Sequence, residues 1–160
     1  MIFGKLLETV MKSSLDKNKK SKKTVALSSF ARKPLTETIV MKFKDRYKNM
    51  KHIDLSDDIK HCWFDKSELV AYLILNHEDD GKLWITALEV MPSYRGLHLG
   101  DQILDVAIKE GANALAVAKD NEVAIQIYKN KGFKVKMTKE LEEEIKSGKR
   151  NNILMYRESK

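Results

Sequence analysis

The fold is decided by the stretch Leu88-Glu89-Val90-Met91-Pro92-Ser93-Tyr94-Arg95-Gly96-Leu97-His98-Leu99-Gly100. It leads from an apolar strand pattern, 83–90, directly into a helix pattern through a turn that contains glycine. Helical spacing of apolar residues continues to Ile108 and stops at Gly111, a residue suited to a helix C-terminus. The sequence therefore predicts a strand, a turn and a helix in immediate succession.

The predicted turn has the features of an anion-binding site. Backbone N–H groups at a helix N-terminus carry the positive end of the helix dipole, and glycines let a bulky anion approach them closely. Arg95 adds a positive charge, and Pro92 cannot donate to a sheet, so the strand should leave its neighbour there. The backbone of Leu88 to Val90 would then be open to a ligand. A plain turn with an exposed arginine is the alternative that the turn alone leaves open.

The pattern Val90-x-Pro92-x-Tyr94-Arg95-Gly96-x-x-Leu99-Gly100 resembles the coenzyme A signature of the GNAT superfamily of N-acetyltransferases, commonly written Arg/Gln-x-x-Gly-x-Gly/Ala. Arg95 matches its first position and Gly100 its last, whereas His98 replaces the middle glycine. Histidine is enriched among the non-glycine residues that adopt positive φ, and it keeps its N–H group. We therefore expect the turn still to bind a pyrophosphate. His98 could also contact a phosphate or act as an acid or base, but a surface histidine at a helix start is the simpler interpretation.

A second pattern, Asn121-x-x-Ala124-x-x-x-Tyr128-x-x-x-Gly132-Phe133, also resembles a hallmark of this superfamily. Tyr128 lies seven positions after Asn121, about two helical turns, so both side chains can face one ligand. Ala124 between them is small enough for a pantetheine arm to pass. The structural alternatives are a helix N-cap for Asn121 and a core aromatic for Tyr128.

The resemblance covers roughly residues 24–157 and carries implications for fold and cofactor. It implies an α/β (α+β) fold with a mixed, largely antiparallel central sheet, splayed at the cofactor strand and flanked by helices. It implies acetyl-CoA as co-substrate, no metal, and an amine acceptor that is a small molecule or a protein amino group. The cofactor-binding residues that it implies are Leu88, Val90, Arg95, Gly96, Leu97, His98, Leu99, Gly100, Asn121 and Tyr128.

The resemblance also implies a direct-transfer mechanism with two candidate catalytic residues. The residue matching Tyr128 usually gives a proton to the departing thiolate, and a phenol is an acid weak enough to do so as the thiolate forms. Glu89, flanked by apolar residues on the cofactor strand, is the candidate base, and an N–H near Val90 could stabilise the oxyanion. Glu68 and water remain alternatives for the base, and Glu89 could instead be structural or bind the substrate.

The chain before this region predicts a strand at 24–30 and a helix that opens at Pro34 and runs to about Asn49. The predicted inner face of that helix consists of Leu35, Ile39, Phe43 and Tyr47.

Further elements follow from alternation, helical spacing and turn residues. They are a hairpin of 59–64 and 68–75, strands at 114–118, 133–137 and 153–156, a helix at 122–131 and a helical insertion at 141–147.

Composition favours one compact globular domain. The 160 residues are 42% hydrophobic and 33% charged, with only 7 Gly and 2 Pro. We expect that domain to span 24–160, preceded by an amphipathic helix and a Lys-rich linker in 1–23. No membrane span or signal peptide is recognisable, so we expect a cytoplasmic monomer or homodimer. Cys62, without a partner cysteine, is expected to be a buried thiol.

The net charge of +7 is concentrated at the N-terminal end of the chain. Residues 1–60 carry 15 Lys and Arg against 7 Asp and Glu, whereas 61–160 carry 15 against 16. Such a basic stretch could bind nucleic acid, although no recognised motif accompanies it. A second hypothesis is therefore a non-catalytic module with the GNAT fold that binds an acyl-CoA, or a macromolecule through its basic N-terminal third.

Overall fold

The structure is a computed structural model that describes residues 24–56 and 58–158. The amphipathic helix and the Lys-rich linker that the sequence predicts in 1–23 lie outside the described residues. Within the described chain, no helix combines the length and the apolar character needed to cross a bilayer.

A seven-stranded sheet forms the centre of the molecule. Its strands lie in the order β1-β2-β3-β4-β5-β7-β6, and neighbours run antiparallel except for β4 and β5. The mixed, largely antiparallel sheet that the resemblance implies is therefore confirmed. The strands are β1 Ala31–Pro34, β2 Ile59–Asp65, β3 Glu68–His77, β4 Leu83–Val90, β5 Ala114–Ala118, β6 Phe133–Lys136 and β7 Asn152–Arg157.

Helices cover both faces of this sheet. They are α1 Glu37–Phe43, α2 Leu99–Lys109, α3 Glu122–Asn130 and α4 Lys139–Lys146. Helices α2 and α3 pack on the face that carries Leu88 and Val90. Helix α1 packs on the opposite face, which carries Tyr72 and Met91, and α4 contacts the sheet through Leu141. Alternation along β4 thus divides its side chains between two cores.

Strands β4 and β5 separate where β4 continues toward its C-terminal end. They pair at Trp84 with Ala114 and at Ile85 with Leu115. The register between β3 and β4 skips Thr86, a β-bulge that bends β4 at this point. Pairing with β3 nevertheless continues to Val90, so β4 stays in the sheet while its other edge opens toward β5. The prediction that the strand leaves its neighbour at Pro92 is therefore wrong in position, because β4 separates from β5 after Ile85 and does not separate from β3 before Pro92.

The predicted strand at 24–30 is wrong. Residues Leu27–Ser29 form a 3₁₀ turn, and the first strand is Ala31–Pro34. The apolar side chain of Leu27 is buried in the core on the side of α2, and its N–H donates to Gln102 of that helix at 2.8 Å. The backbone and apolar groups of this segment therefore contact α2. The exposed residues that follow form the first strand of the sheet.

The predicted helix from Pro34 to Asn49 is too long at both ends. Pro34 closes β1, and α1 begins after Thr36, whose hydroxyl oxygen accepts from the N–H of Ile39. The helix ends at Phe43, and a separate 3₁₀ turn forms at Lys48–His52. The predicted inner face holds, since Leu35, Ile39, Phe43 and Tyr47 all pack in the core on this side.

The remaining elements agree with the sequence to within three residues at each end. The strands at 83–90 and 114–118 have the predicted bounds. The helical insertion begins at Lys139 because Thr138 caps it, accepting from the N–H of Leu141 at 3.2 Å. Cys62 is buried, as expected, and burial raises the pKa of its thiol to about 11.

Candidate active site

The turn between β4 and α2 has the backbone geometry of an anion cradle. After a 3₁₀ turn at Pro92–Tyr94, Gly96 adopts φ 81° and His98 adopts φ 61°. His98 is the N-cap of α2, and its side chain makes no capping hydrogen bond. The N–H groups that open α2 have no acceptor within the helix and bear the positive end of its dipole. The prediction that histidine tolerates the left-handed conformation here is confirmed.

Leu97, Leu99 and Gly100 complete the turn and anchor it. Leu99 and Gly100 are buried at the start of α2, and Leu97 packs against the same core from a half-buried position. This burial fixes the turn backbone, which a rigid anion site requires.

Arg95 lies against the end of β4. Its Nε donates to the carbonyl of Val90 at 2.9 Å, and its Nη2 lies 3.7 Å from Oε2 of Glu89. The guanidinium of Arg95 therefore lies close to both the backbone at the end of β4 and the side-chain carboxylate of Glu89. The sequence predicted a charge for the phosphate, but it did not predict this contact with Glu89.

Glu89 is a buried carboxylate with three donors around it. It is only 5% exposed and is the one charged residue classed as buried in the described part of the chain. The hydroxyl of Tyr72 donates to Oε1 at 2.6 Å, and Nδ2 of Asn49 donates to Oε2 at 2.9 Å. With Arg95 close by, these bonds offset the cost of burying a carboxylate.

Tyr72 and Asn49 were missed by the sequence reasoning. Tyr72 stands directly opposite Glu89 in the register of β3 and β4. Burial and the neighbouring carboxylate both raise the pKa of the Tyr72 phenol well above its ordinary value, so it remains a donor. Hairpin register could have suggested the pairing of Tyr72 with Glu89, but no local signal in the sequence connects Asn49 to β4.

Glu68, the alternative base, is placed differently. It begins β3 and forms an ion pair with Arg46 at 2.9 Å in which both side chains are about half exposed. It is therefore a surface carboxylate, whereas Glu89 lies inside the fold.

Tyr128 and Asn121 both belong to α3 and its cap. Tyr128 is fully buried and makes an edge-to-face contact with Phe133 at a centroid distance of 6.1 Å. It shares a core with Leu88 and Val90, on the face opposite that of Tyr72. Asn121 is the N-cap, and its Oδ1 accepts from the N–H of Ala124 at 3.3 Å. The structural role foreseen for Asn121 is confirmed, while its contact with a cofactor stays a prediction.

A segment from the N-terminal side packs against the turn between β4 and α2. The N–H of Val25 donates to the carbonyl of Leu97 at 3.2 Å, and Gln102 of α2 donates to the carbonyl of Val25 at 2.8 Å. Phe30 meets Tyr94 edge to face at 5.8 Å. These contacts stabilise the conformation of the turn.

These features together form a slot suited to a long, anionic ligand. One end is the turn with its helix N-terminus, and the other is the open edge of β4 beside the buried carboxylate. Within the described residues, no group of three or more His, Cys, Asp and Glu side chains is arranged to hold a metal. The N–H groups at the start of α2 can therefore donate hydrogen bonds to a ligand that lies along this part of the sheet, and the open edge of β4 can donate or accept them.

Comparison with solved structures gives neighbours of the same fold. The ribosomal-protein-S18-alanine N-acetyltransferase from Escherichia coli is 18% identical with a TM-score of 0.58, covering 82% of this chain and 96% of that one. Arabidopsis thaliana Naa50, solved with the bisubstrate analogue CoA-Ac-MVNAL, is 19% identical with a TM-score of 0.58, covering 82% and 99%. A GNAT family acetyltransferase from Elizabethkingia anophelis with acetyl-CoA bound is 17% identical with a TM-score of 0.55, covering 81% and 98%.

Identities this low indicate a shared fold. No curated protein sequence matches the chain significantly. The sequence model of the acetyltransferase (GNAT) family, however, matches residues 26–133, which include both motifs and the whole of the slot between them. The match spans well over half of the sequence, and the chain belongs to the acetyltransferase (GNAT) family.

Proposed function

We propose that this protein transfers the acetyl group of acetyl-CoA directly to a primary amine, either on a small molecule or on a protein. The observation that carries the proposal is the continuity of the slot. The open edge of β4 runs into a turn whose positive-φ residues, Gly96 and His98, present the N-terminus of α2. Family membership and neighbours solved with acetyl-CoA or a bisubstrate analogue support the same cofactor.

The residues assigned to the cofactor divide between its two ends. The N–H groups from Gly96 to Gly100 would hold the pyrophosphate, with Arg95 adding charge. The edge of β4 from Leu88 to Val90 would hold the pantetheine arm, whose amides can pair with a strand edge. Asn121 would donate to the same arm through Nδ2, because the capping bond uses its Oδ1.

The transfer forms one bond and breaks another. The amine nitrogen attacks the thioester carbonyl, the C–N bond forms, and the C–S bond breaks to release the coenzyme thiolate. Holding both reactants in contact supplies much of the rate enhancement. Tyr128 would give its phenolic proton to the thiolate and regain a proton from the nitrogen, which loses its second proton as the amide forms. An N–H near Val90 would stabilise the oxyanion.

An amine arrives as an ammonium ion and must lose one proton before it attacks. Glu89 is the buried anion on the opposite face from Tyr128, so it can hold the ammonium and receive that proton directly or through water. The proposed proton acceptor and the proposed proton donor would then lie on opposite faces of the sheet, next to the gap between β4 and β5.

A non-catalytic acyl-CoA-binding module is the second candidate. The observation that favours it is the state of Glu89, whose two oxygens already accept from Tyr72 and Asn49. An acceptor amine would have to displace one of these donors to reach Glu89, whereas a non-catalytic module would bind the thioester without consuming it.

Amine-dependent thiol release decides between these candidates. The purified protein with acetyl-CoA is offered small amines, peptides with free N-termini and lysine-containing peptides, and products are identified by mass spectrometry. We expect release of the thiol together with an acetylated amine. Saturable acetyl-CoA binding without release across all three classes would favour the non-catalytic module.

A further inference from the structure

The three donors around Glu89 approach it from different sides. Tyr72 is 3% exposed and lies within the sheet core, and the side chain of Arg95 is 21% exposed at the cofactor end. Asn49, by contrast, is an exposed residue on the 3₁₀ turn at Lys48–His52. Of the three donors, Asn49 is therefore the one that belongs to an exposed residue.

We propose that Asn49 covers the acceptor site, and that the ammonium group of an acidic acceptor displaces its amide from Glu89. This inference rests on the proposed function, and it names the acceptor class and its point of entry. Nδ2 of Asn49 lies 2.9 Å from Oε2, the position that an ammonium N–H donor would take. An ammonium–carboxylate hydrogen bond is about twice as strong as one with a neutral donor, so this exchange is favourable.

The local fold allows the exchange to be a side-chain movement. Met50, next to Asn49, is fully buried in the core under α1. Its N–H donates to Tyr47 and its carbonyl accepts from the N–H of Ile53, which fixes the backbone of this turn. Rotation of the Asn49 side chain uncovers Oε2 while the backbone stays in place. A narrow primary amine fits such an opening better than a bulky secondary one.

The rim of this entrance is basic. Residues 44–52 contain four Lys and Arg against one Asp. Arg46 is paired with Glu68, while Lys48, Lys51 and His52 are exposed beside Asn49. This field repels a polycationic acceptor and attracts an anionic one. The acceptor class that fits both features is a primary amine carried on an acidic body, such as a peptide rich in Asp and Glu.

Two measurements on the full chain test this inference, with Y72F as the matched control. Three peptides share one N-terminal residue and continue with Glu, Gln or Lys residues. We expect the KM for the acidic peptide to be about tenfold lower than for the basic one, and N49A to lower it further by about threefold. Y72F removes a donor from the buried side and should not lower the KM. Equal KM values for the three peptides would overturn the acidic class, and an unchanged or raised KM in N49A would overturn the covering role.

Chemical labelling tests the cover without relying on activity. A water-soluble carbodiimide with methylamine converts an accessible carboxylate to an amide, and mass spectrometry measures the product at Glu89. We expect labelling to be at least about fivefold faster in N49A than in the wild type. Equal labelling in N49A and wild type contradicts the cover. Faster labelling in N49A with no thiol release from any peptide would support the cover and refute the proposed acetyl transfer.

Discussion

The two proposed catalytic side chains lie on opposite faces of the sheet. Glu89 lies with Tyr72 on the face of α1, whereas Tyr128 lies with Leu88 and Val90 on the face of α2 and α3. In a continuous sheet these groups could not reach the same molecule. Pairing of β4 with β5 ends after Ile85, and we propose that a thioester bound in the gap beyond that point meets both groups.

The first prediction concerns Tyr128. Tyr128→Phe keeps the ring and its contact with Phe133 but removes the phenolic proton. We expect the acetyl-transfer rate to fall by about tenfold or more because the thiolate must then leave without a positioned acid. Acetyl-CoA affinity, measured by calorimetry, should be retained. A variant with the wild-type rate would show that Tyr128 is a core aromatic alone.

The second prediction concerns the backbone at His98. This exposed residue adopts φ 61°, which a β-branched side chain disfavours. We expect His98→Val to lower the free energy of unfolding by about 1–3 kcal/mol and to weaken acetyl-CoA binding, since the turn must shift. His98→Gly is the matched control and should keep both quantities near wild type. Weak binding in the glycine variant would mean that the imidazole itself contacts the cofactor.

Helix α3 carries both the Asn121 cap and Tyr128, the proposed proton donor. Asn121 caps its first turn, and the carbonyl of Lys131 beyond its last turn accepts from Nε of Arg157 at 2.8 Å. Both ends of the helix are therefore fixed, and this fixes the position of Tyr128 along the helix axis relative to β4. The packing of α3 in the core on that face fixes its orientation as well.

The third prediction separates the two roles of Asn121. Asn121→Ala removes the capping oxygen and should lower the free energy of unfolding by about 1 kcal/mol, as measured by urea denaturation. Asn121→Asp keeps a capping oxygen but loses the amide donor. We expect it to retain stability and to bind acetyl-CoA several-fold more weakly. Wild-type affinity in the aspartate variant would leave Asn121 with the cap alone.

Predictability from sequence differed between elements for physical reasons. The strand at 83–90 and helix α2 carry strong periodicity, and the turn between them carries the family motif, so this part of the fold was predictable, while the cofactor-binding residues stay a prediction. The segment 24–30 was not predictable. Its apolar residues favour a strand, but its backbone groups form hydrogen bonds with the side chain of Gln102, far along the chain. Asn49 was missed for the same reason, since its partner Glu89 is on a distant strand.

At the level of the whole molecule, the N-terminal side of the chain contributes to the cofactor turn only from Val25 onward among the described residues. Val25 bonds to Leu97, Leu27 bonds to Gln102, and Phe30 packs on Tyr94. The Lys-rich stretch before it contains neither motif. The boundary between dispensable and required sequence is therefore expected between these two parts.

The fourth prediction is a pair of deletions across that boundary. Removal of 1–22 should leave acetyl-CoA affinity unchanged, because the contacts of Val25 are kept. Removal of 1–30 should weaken binding by tenfold or more and lower the melting temperature, because the turn loses the bonds to Leu97 and Gln102 and the ring of Phe30. Loss of binding in the shorter deletion, with the protein still folded, would place part of the cofactor site within 1–22.

The central claim is that the slot from the edge of β4 to the start of α2 holds acetyl-CoA. Calorimetric titration of the purified full-length protein with acetyl-CoA tests it most directly. The account predicts saturable binding with one molecule of acetyl-CoA per chain, weakened in His98→Val and preserved in His98→Gly. Absence of binding to the folded protein would contradict the account, because it would mean that the turn at Gly96 and His98 does not form an anion site.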